Sequence, residues 1–272
     1  PVPLPVNAPL VTTANTPGPE LFTVAMRRPS TVLLATVTRS SATFAEPLLV
    51  LVGVTGVGKS TTLEALHALG LGFAALPDRR EITDAVIFGG ERITDRAKRF
   101  ERTAAFRASH AGGMAQALEQ VSVGMLPPIL FDGLRGLAEV THAAQAFPLA
   151  RFVALDAPDT VRVSRLLGRG DAFDALQAAA SSNASTLELL HAIDGVQAVF
   201  SFPQLASLAA LPGTPSEIAG KVSIVVTERQ HYDPVTANAF LRSLPSHRAL
   251  YADTALEPAE AVAHRIAAWW GA

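Results

Sequence analysis

From Pro47 onward, short apolar runs alternate with longer stretches whose apolar positions recur at helical spacing. Leu48 to Val54, Phe73 to Leu76, Pro128 to Phe131, Arg151 to Leu155, Val222 to Val226 and Ala249 to Ala252 are the apolar runs. Such runs, without polar alternation, predict strands buried on both faces. Ser60 to Leu69, Thr94 to Ser109, Gly113 to Val121 and the stretch ending at Trp270 read as helices between and after them. The expected fold class is therefore α/β, three layers with a parallel sheet flanked by helices.

The flanks read differently. Residues 1–20 carry six prolines and are expected to form an extended arm outside the fold. Residues 21–46 form an N-terminal extension in which Thr31 to Thr38 is β-compatible, either an edge strand or a segment packed on the core. The main domain is expected over 47–272. Within it, about 172–220 is an Ala/Ser/Leu-rich helical stretch without a strand signal, as long as an inserted subdomain. No internal repeat is visible.

Composition narrows the classes. About half of the 272 residues are apolar and the formal net charge is −2, which fits a soluble globular protein and makes nucleic acid an unlikely partner. No apolar run approaches the ~20 residues of a membrane helix, so no membrane association is expected. Cysteine is absent, which excludes disulfides and thiolate chemistry. Pro1 to Glu20 lacks a charged segment ahead of an apolar one, so it does not read as a secretory signal. Cytoplasm is the expected compartment. Three lysines stand against nineteen arginines, and one of the three, Lys59, lies in a glycine-rich turn.

That turn, Gly53-Val54-Thr55-Gly56-Val57-Gly58-Lys59-Ser60, fits G-x-x-x-x-G-K-[ST] at every position. It follows an apolar strand and opens a helix, the arrangement in which backbone N–H groups and a helix N-terminus converge on an anion. ATP or GTP is the expected ligand. Lys59 is expected to bridge the β- and γ-phosphates, Ser60 to complete the coordination of Mg²⁺, and Thr61 to add a hydroxyl near the α-phosphate. A turn that only packs has no need of Lys-Ser at this register.

A second acid is needed for the metal shell, and Asp132, at the end of the apolar run Pro128 to Phe131, is the candidate. Asp132-Gly133 could instead simply start a turn. Asp156, at the end of the next run, is the fallback.

With these residues the chain, over about Pro47 to Gly271, resembles the nucleoside and nucleotide kinase (adenylate-type) branch of the P-loop superfamily. Phe131-Asp-Gly-Leu-Arg135 is similar to an Asp-Gly-Phe-Pro-Arg stretch of those kinases, with the arginine one residue early and the proline missing. The resemblance implies that Arg135 touches substrate. Arg162, Arg165 and Arg169 share one helix face and resemble the arginines of a mobile lid, placed here at about 158–172. Such arginines would be catalytic, neutralising the transferring phosphoryl group. The other reading is a solvated face paired with Asp159 or Asp171.

The segment after Phe73 to Leu76 is where such kinases hold the acceptor. Asp78 is expected to orient or deprotonate an acceptor hydroxyl, and Arg79 and Arg80 to hold an anionic group on it. Arg96 and Arg99 are spaced to reach the same pocket, although Glu81, Glu91, Asp95 and Glu101 would suit an ordinary solvated helix. Asp253 and Thr254 are expected beside the nucleotide base, Thr254 equally as a helix cap. His110 reads as a turn or cap residue. Glu228 to Pro234 is polar and carries no assigned role.

The expected function is an ATP- or GTP-dependent, magnesium-requiring phosphotransferase acting on a small acceptor, nucleoside or nucleotide. A nucleotide-dependent regulator without an acceptor and a polynucleotide 5′-kinase are the alternatives. The chain lacks Asn-Lys-x-Asp, an Asp-x-x-Gly switch and Leu-Ser-Gly-Gly-Gln, which disfavours GTPase switches and transporter ATPases. The sequence specifies neither the acceptor nor the oligomeric state.

Overall fold

The computed structural model of the chain describes residues 22–27, 32–37, 47–121, 128–168 and 185–271. The proline-rich arm 1–20 lies outside the described residues. Strands β1 (Phe22–Arg27) and β2 (Val32–Val37) pair antiparallel with each other, Phe22 opposite Val37. Among the described residues, the extension's two strands pair with each other and not with the main sheet. Antiparallel neighbours this close in sequence satisfy their ladders on one another.

The main sheet contains β3 (Leu48–Val52), β4 (Ala74–Ala75), β5 (Ile129–Leu134), β6 (Arg151–Asp156) and β7 (Ala249–Asp253). They run parallel in the order β4-β5-β3-β6-β7, so the strand that enters the glycine loop sits at the centre. Alternate β3 side chains enter different cores. Leu48, Val50 and Val52 pack with residues of α4 (Gly113–Leu118), α5 (Leu137–Ala146) and α11 (Pro234–Ser243). Leu49 and Leu51 pack with α1 (Lys59–Ala68) and α12 (Ala259–Gly271) on the opposite face. All five β3 residues are buried, which explains the unbroken apolar run and the three-layer fold. Each such side chain contributes roughly 1.5–3 kcal/mol through burial.

Between Val50 and Val52 the pairing of β3 with β5 shifts, because Val50 faces Phe131 whereas Val52 faces Leu134. Asp132 and Gly133 together oppose Leu51. Two residues against one is a bulge, which breaks the strand's alternation and re-aims the side chain it carries. Asp132 is thereby placed inside β5 and not at its end.

Val222 to Val226 is helical, contrary to the strand expected there. It lies within α10 (Pro215–His231), which Pro215 opens and a reciprocal Thr214–Glu217 capping box fixes. Ile218, Val222, Val225 and Val226 are buried at helical spacing. They join a third apolar cluster with α6 (Asp159–Leu167), α7 (Thr186–His191), α8 (Val196–Val199) and α9 (Phe202–Ala209). The helical unit thus extends to His231, beyond the expected limit near residue 220. β-Branched residues favour a strand by local propensity, and tertiary burial of one helix face overrides it here.

On the other side of the loop, α2 (Arg79–Ile82) continues as a π-helical turn over Thr83–Ile87, followed by α3 (Arg96–Ser109).

Candidate functional site

The glycine loop is shaped by contacts that exclude side chains. A Cβ on Gly53 would lie 2.6 Å from Val57 Cγ2 and 2.8 Å from the Leu155 carbonyl oxygen. Gly56, at φ +86°, would place one 3.1 Å from Arg162 Cβ. Gly58, at φ +94°, is the left-handed residue preceding α1. The Gly53 N–H donates to the Leu134 carbonyl at 3.0 Å, tying the loop to β5.

Lys59 Nζ turns back beneath the loop, donating to the Gly53 carbonyl at 2.7 Å and the Val54 carbonyl at 3.1 Å. Burial, followed by the Arg135 guanidinium, pushes its pKa from 10.5 down to about 7, against the opposing pull of Asp132 and Glu228. Ser60 and Thr61 are exposed at the start of α1.

Glu228, in α10, is the residue that the sequence left without a role. Its carboxylate accepts the Thr55 backbone N–H at 3.0 Å, the Thr55 hydroxyl, Arg135 Nη1 at 2.7 Å and Arg162 Nη2. Burial pushes this carboxyl up, yet the Arg135 and Arg162 guanidinium groups and the Thr55 hydroxyl together hold it below the usual range. The available signal was a charge on the apolar stripe of a helix, three residues after Val225, legible only once 215–231 is read as helical.

A cavity of about 600 Å³ opens between the loop and the α2–α3 segment. Thr55, Gly56, Lys59 and Ser60 line one end, with Asp132, Gly133 and Arg135 from β5 and the turn after it. Asp78, Arg79, Arg80, Arg99 and Tyr232 also line it. The cavity thus brings residues of the glycine loop, β5 and the α2–α3 segment together. Asp78 caps α2, its Oδ1 accepting the N–H groups of Arg80 at 2.7 Å and Glu81 at 2.8 Å. Arg79 is a strut, bonded to both carboxylate oxygens of Glu139, to the Gly133 carbonyl at 2.6 Å and to the Tyr232 hydroxyl at 3.1 Å. Burial alone would raise the Glu139 pKa, and the Arg79 guanidinium reverses that and holds it low. Arg99 pairs with Asp84 and donates to the Ile93 carbonyl at 3.0 Å. Arg96 is in α3, and its side chain lies outside the described residues.

Arg162 and Arg165 do not form an open face. Arg162 is 1% exposed, bonded to the Thr55 carbonyl at 2.8 Å, Asp159 at 2.6 Å and Glu228. Arg165 reaches the Gly56 carbonyl at 3.2 Å and the Thr254 carbonyl at 2.6 Å. Neither lines the cavity. The carboxylates of Asp159 and Glu228 and the loop carbonyls draw this face inward, so the shared face braces the loop. Arg169 lies outside the described residues. Thr254 donates to the Val57 and Asp156 carbonyls at the back of the loop, and Asp253 caps the turn at Ala255.

Between the two metal candidates, Asp156 is engaged by the Ala157 N–H at 2.9 Å and the Tyr251 hydroxyl at 3.1 Å. Asp132 accepts no hydrogen bond from the described residues, and it faces the cavity with Ser60. No group of three or more His, Asp or Glu able to hold a metal occurs among the described residues. One carboxylate and one hydroxyl fit Mg²⁺, which keeps waters and takes substrate phosphates instead of an all-protein cage. His110 ends α3 and stacks on Phe106, consistent with a cap.

No protein-family model matches the chain, and no curated protein matches it. Among solved structures it is similar to a sugar kinase from Janibacter sp. HTCC2649, with 18% identity over 83% of this chain and 95% of that one, at TM-score 0.35. A protein from Thermus thermophilus has 15% identity over 82% and 97%, at 0.40. A gluconokinase from Sinorhizobium meliloti 1021 has 18% over 85% and 94%, at 0.36. At these identities and scores the likeness bears on neither substrate nor reaction.

Proposed function

We propose that this chain is a phosphotransferase that moves the γ-phosphoryl group of ATP or GTP to a small acceptor seated between the glycine loop and α2–α3. The observation that carries this is one continuous cavity, joining Lys59 and Ser60 to the uncommitted Asp132 and to an acceptor wall. The loop's bonds to itself are of a kind that phosphate oxygens can replace. Lys59 exchanges its two carbonyl partners for β- and γ-phosphate oxygens, and Arg135 lies beside them to spread charge from the moving group.

Asp132 and Ser60 would hold Mg²⁺, which would supply neutralisation of phosphate charge. Asp78 Oδ2 is outside the two capping bonds and is the atom that takes an acceptor hydroxyl's proton or orients it. Arg80 faces the same space. The adenine or guanine ring would lie beside Thr254, which neighbours Gly58 at the start of α1. Arg162 and Arg165 act through the loop, as positioning residues.

A second reading, a nucleotide-dependent regulator, is favoured by Glu228, because it ties the loop to the helical unit formed by α6 to α10. One screen separates the two. Nucleosides, nucleotides, sugars and 5′-hydroxyl oligonucleotides are offered with γ-labelled ATP and GTP, scoring transfer against hydrolysis. Lys59→Ala should abolish transfer and leave the circular dichroism spectrum unchanged. Full activity in that variant would overturn the mechanism, and hydrolysis without transfer to anything selects the regulator.

A further inference from the structure

α3 turns Arg99, Phe100, Thr103, Phe106 and Arg107 towards the cavity, positions spaced to share one helix face. The guanidinium groups already discussed are matched by carboxylates: Arg79 by Glu139, Arg99 by Asp84 and Arg135 by Glu228. Arg107 has neither a hydrogen bond nor an ion pair among the described residues. It is half-buried, and its stem passes Gly113, where a Cβ would come within 3.8 Å of Arg107 Cγ. Its charge reaches His231, whose pKa is lowered by burial and then by Arg107. The His231 ring lies 5.0 Å from Phe100, a phenyl group that is 48% exposed and shares the wall with Phe106 and Met114.

An unmatched guanidinium in a concave wall, beside exposed aromatic surface, is a site for an anion attached to an apolar or planar body. We propose that Arg107 anchors the acceptor, which is a small organic anion whose carboxylate or phosphate pairs with Arg107 and whose body lies along Phe100, Phe106 and Met114. The acceptor group that receives phosphate then points to the Lys59 end. This deepens the phosphotransfer reading and rests on it. Arg107 takes the place of Arg99 as the specificity residue of α3, because Asp84 already satisfies Arg99.

The test uses acceptor pairs that differ by the anion: glucose and gluconate, glycerol and glycerate, adenosine and its 5′-monophosphate. The anionic member of a pair should be preferred at least tenfold in kcat/KM, and whether it carries carboxylate or phosphate identifies the source. Arg107→Met should raise KM for that member by roughly ten- to hundredfold, acting on KM more than on kcat, and Arg107→Lys should recover part of the loss. Equal use of neutral members, or an indifferent Arg107→Met, overturns the proposal. If nothing is phosphorylated, the phosphotransfer reading fails by itself, and Arg107 is tested directly. Inorganic sulfate titrated into the nucleotide-free protein should shift the Arg107 Nε–H resonance saturably. No shift there, while the amides of the glycine loop respond, sinks the anion site.

Discussion

The Glu228 carboxylate and Thr55 lie 173 residues apart in sequence and are joined by the Thr55 backbone N–H, shared between the two carboxylate oxygens at 3.0 and 3.3 Å, and by the Thr55 hydroxyl. A helix outside the sheet thereby fixes a residue at the crest of the loop. The same carboxylate holds Arg135 and Arg162, so loop shape, the cationic cavity wall and the helical unit are coupled through one side chain.

Glu228 also supports the charge of Lys59, raising a pKa that burial and Arg135 have lowered to about 7. The charged ammonium is the form that holds phosphate. For the free enzyme, kcat/KM for the nucleotide should fall as pH rises through Lys59's value. Glu228→Gln keeps the shape and removes the charge that raised this value, so the falling limb should move to lower pH. A pH profile of kcat/KM in the two proteins decides it. An unmoved limb means that Glu228 acts through loop shape alone.

The ion pairs behind the loop should be costly to break singly. Arg162→Met removes the cation that Asp159 and Glu228 share, leaving them Arg229 and Arg135 respectively, and should destabilise by about 1.5–3 kcal/mol. The double variant Arg162→Met, Glu228→Gln should lose less than the sum of its singles, which urea unfolding in a double-mutant cycle measures. The sign with pH follows from the carboxyls. Glu139 and Glu228 are both held below the ordinary value of 4.5, so their stabilisation is complete above it. It is lost as pH falls through their lowered native values.

The sheet and the loop were legible because they rest on local signals: buried runs of four to seven residues, and a motif whose glycines and lysine are adjacent in sequence. The rest depends on contacts between distant segments. Nothing near Arg162 announces that Thr55 and Glu228 will enclose it, so helical spacing alone suggested an open lid. Asp132 was found by its place after an apolar run, whereas its exposure to the cavity depends on a bulge opposite Leu51 that no local signal encodes. Arg99 and Arg107 are equivalent in sequence. Only the fold brings Asp84 to one and leaves the other unmatched among the described residues.

Lys59 should cost stability where it is charged. Its pKa is 10.5 when unfolded and about 7 when folded, so the unfolded chain binds the extra proton between those values and native stability rises with pH across that window. Below pH 7 the penalty is complete, and above 10.5 it vanishes. Lys59→Met should therefore be more stable than the parent at pH 6, by something of the order of 1–3 kcal/mol once partial exposure is allowed for. The gain should fade towards pH 10, and thermal unfolding at several pH values reads it. A constant difference would mean that the lysine is not desolvated.

Gly53 tests the loop's tolerance without touching charge. Gly53→Ala brings its methyl against the Leu155 carbonyl, which belongs to β6 and cannot move without disturbing the pairing of Leu155 with Ala252 of β7. The expected cost is about 1–3 kcal/mol, with nucleotide binding lost at temperatures where the fold survives. Calorimetric titration with ATP below the variant's midpoint separates the two effects.

Asp132 and Asp156 make a matched pair for locating the metal. Both are carboxylates of the strands that flank β3, but Asp156 is committed to Ala157 and Tyr251 while Asp132 faces the cavity with Ser60. Asp132→Asn keeps size and removes the charge, so the Mg²⁺ concentration for half-maximal activity should rise at least tenfold, with a small change in melting temperature. Asp156→Asn should do the reverse: little effect on the magnesium requirement, and a loss of about 1 kcal/mol through the weakened Tyr251 bond. Magnesium titrations of both variants at fixed nucleotide settle the assignment, because a metal shell centred on β6 exchanges the two outcomes.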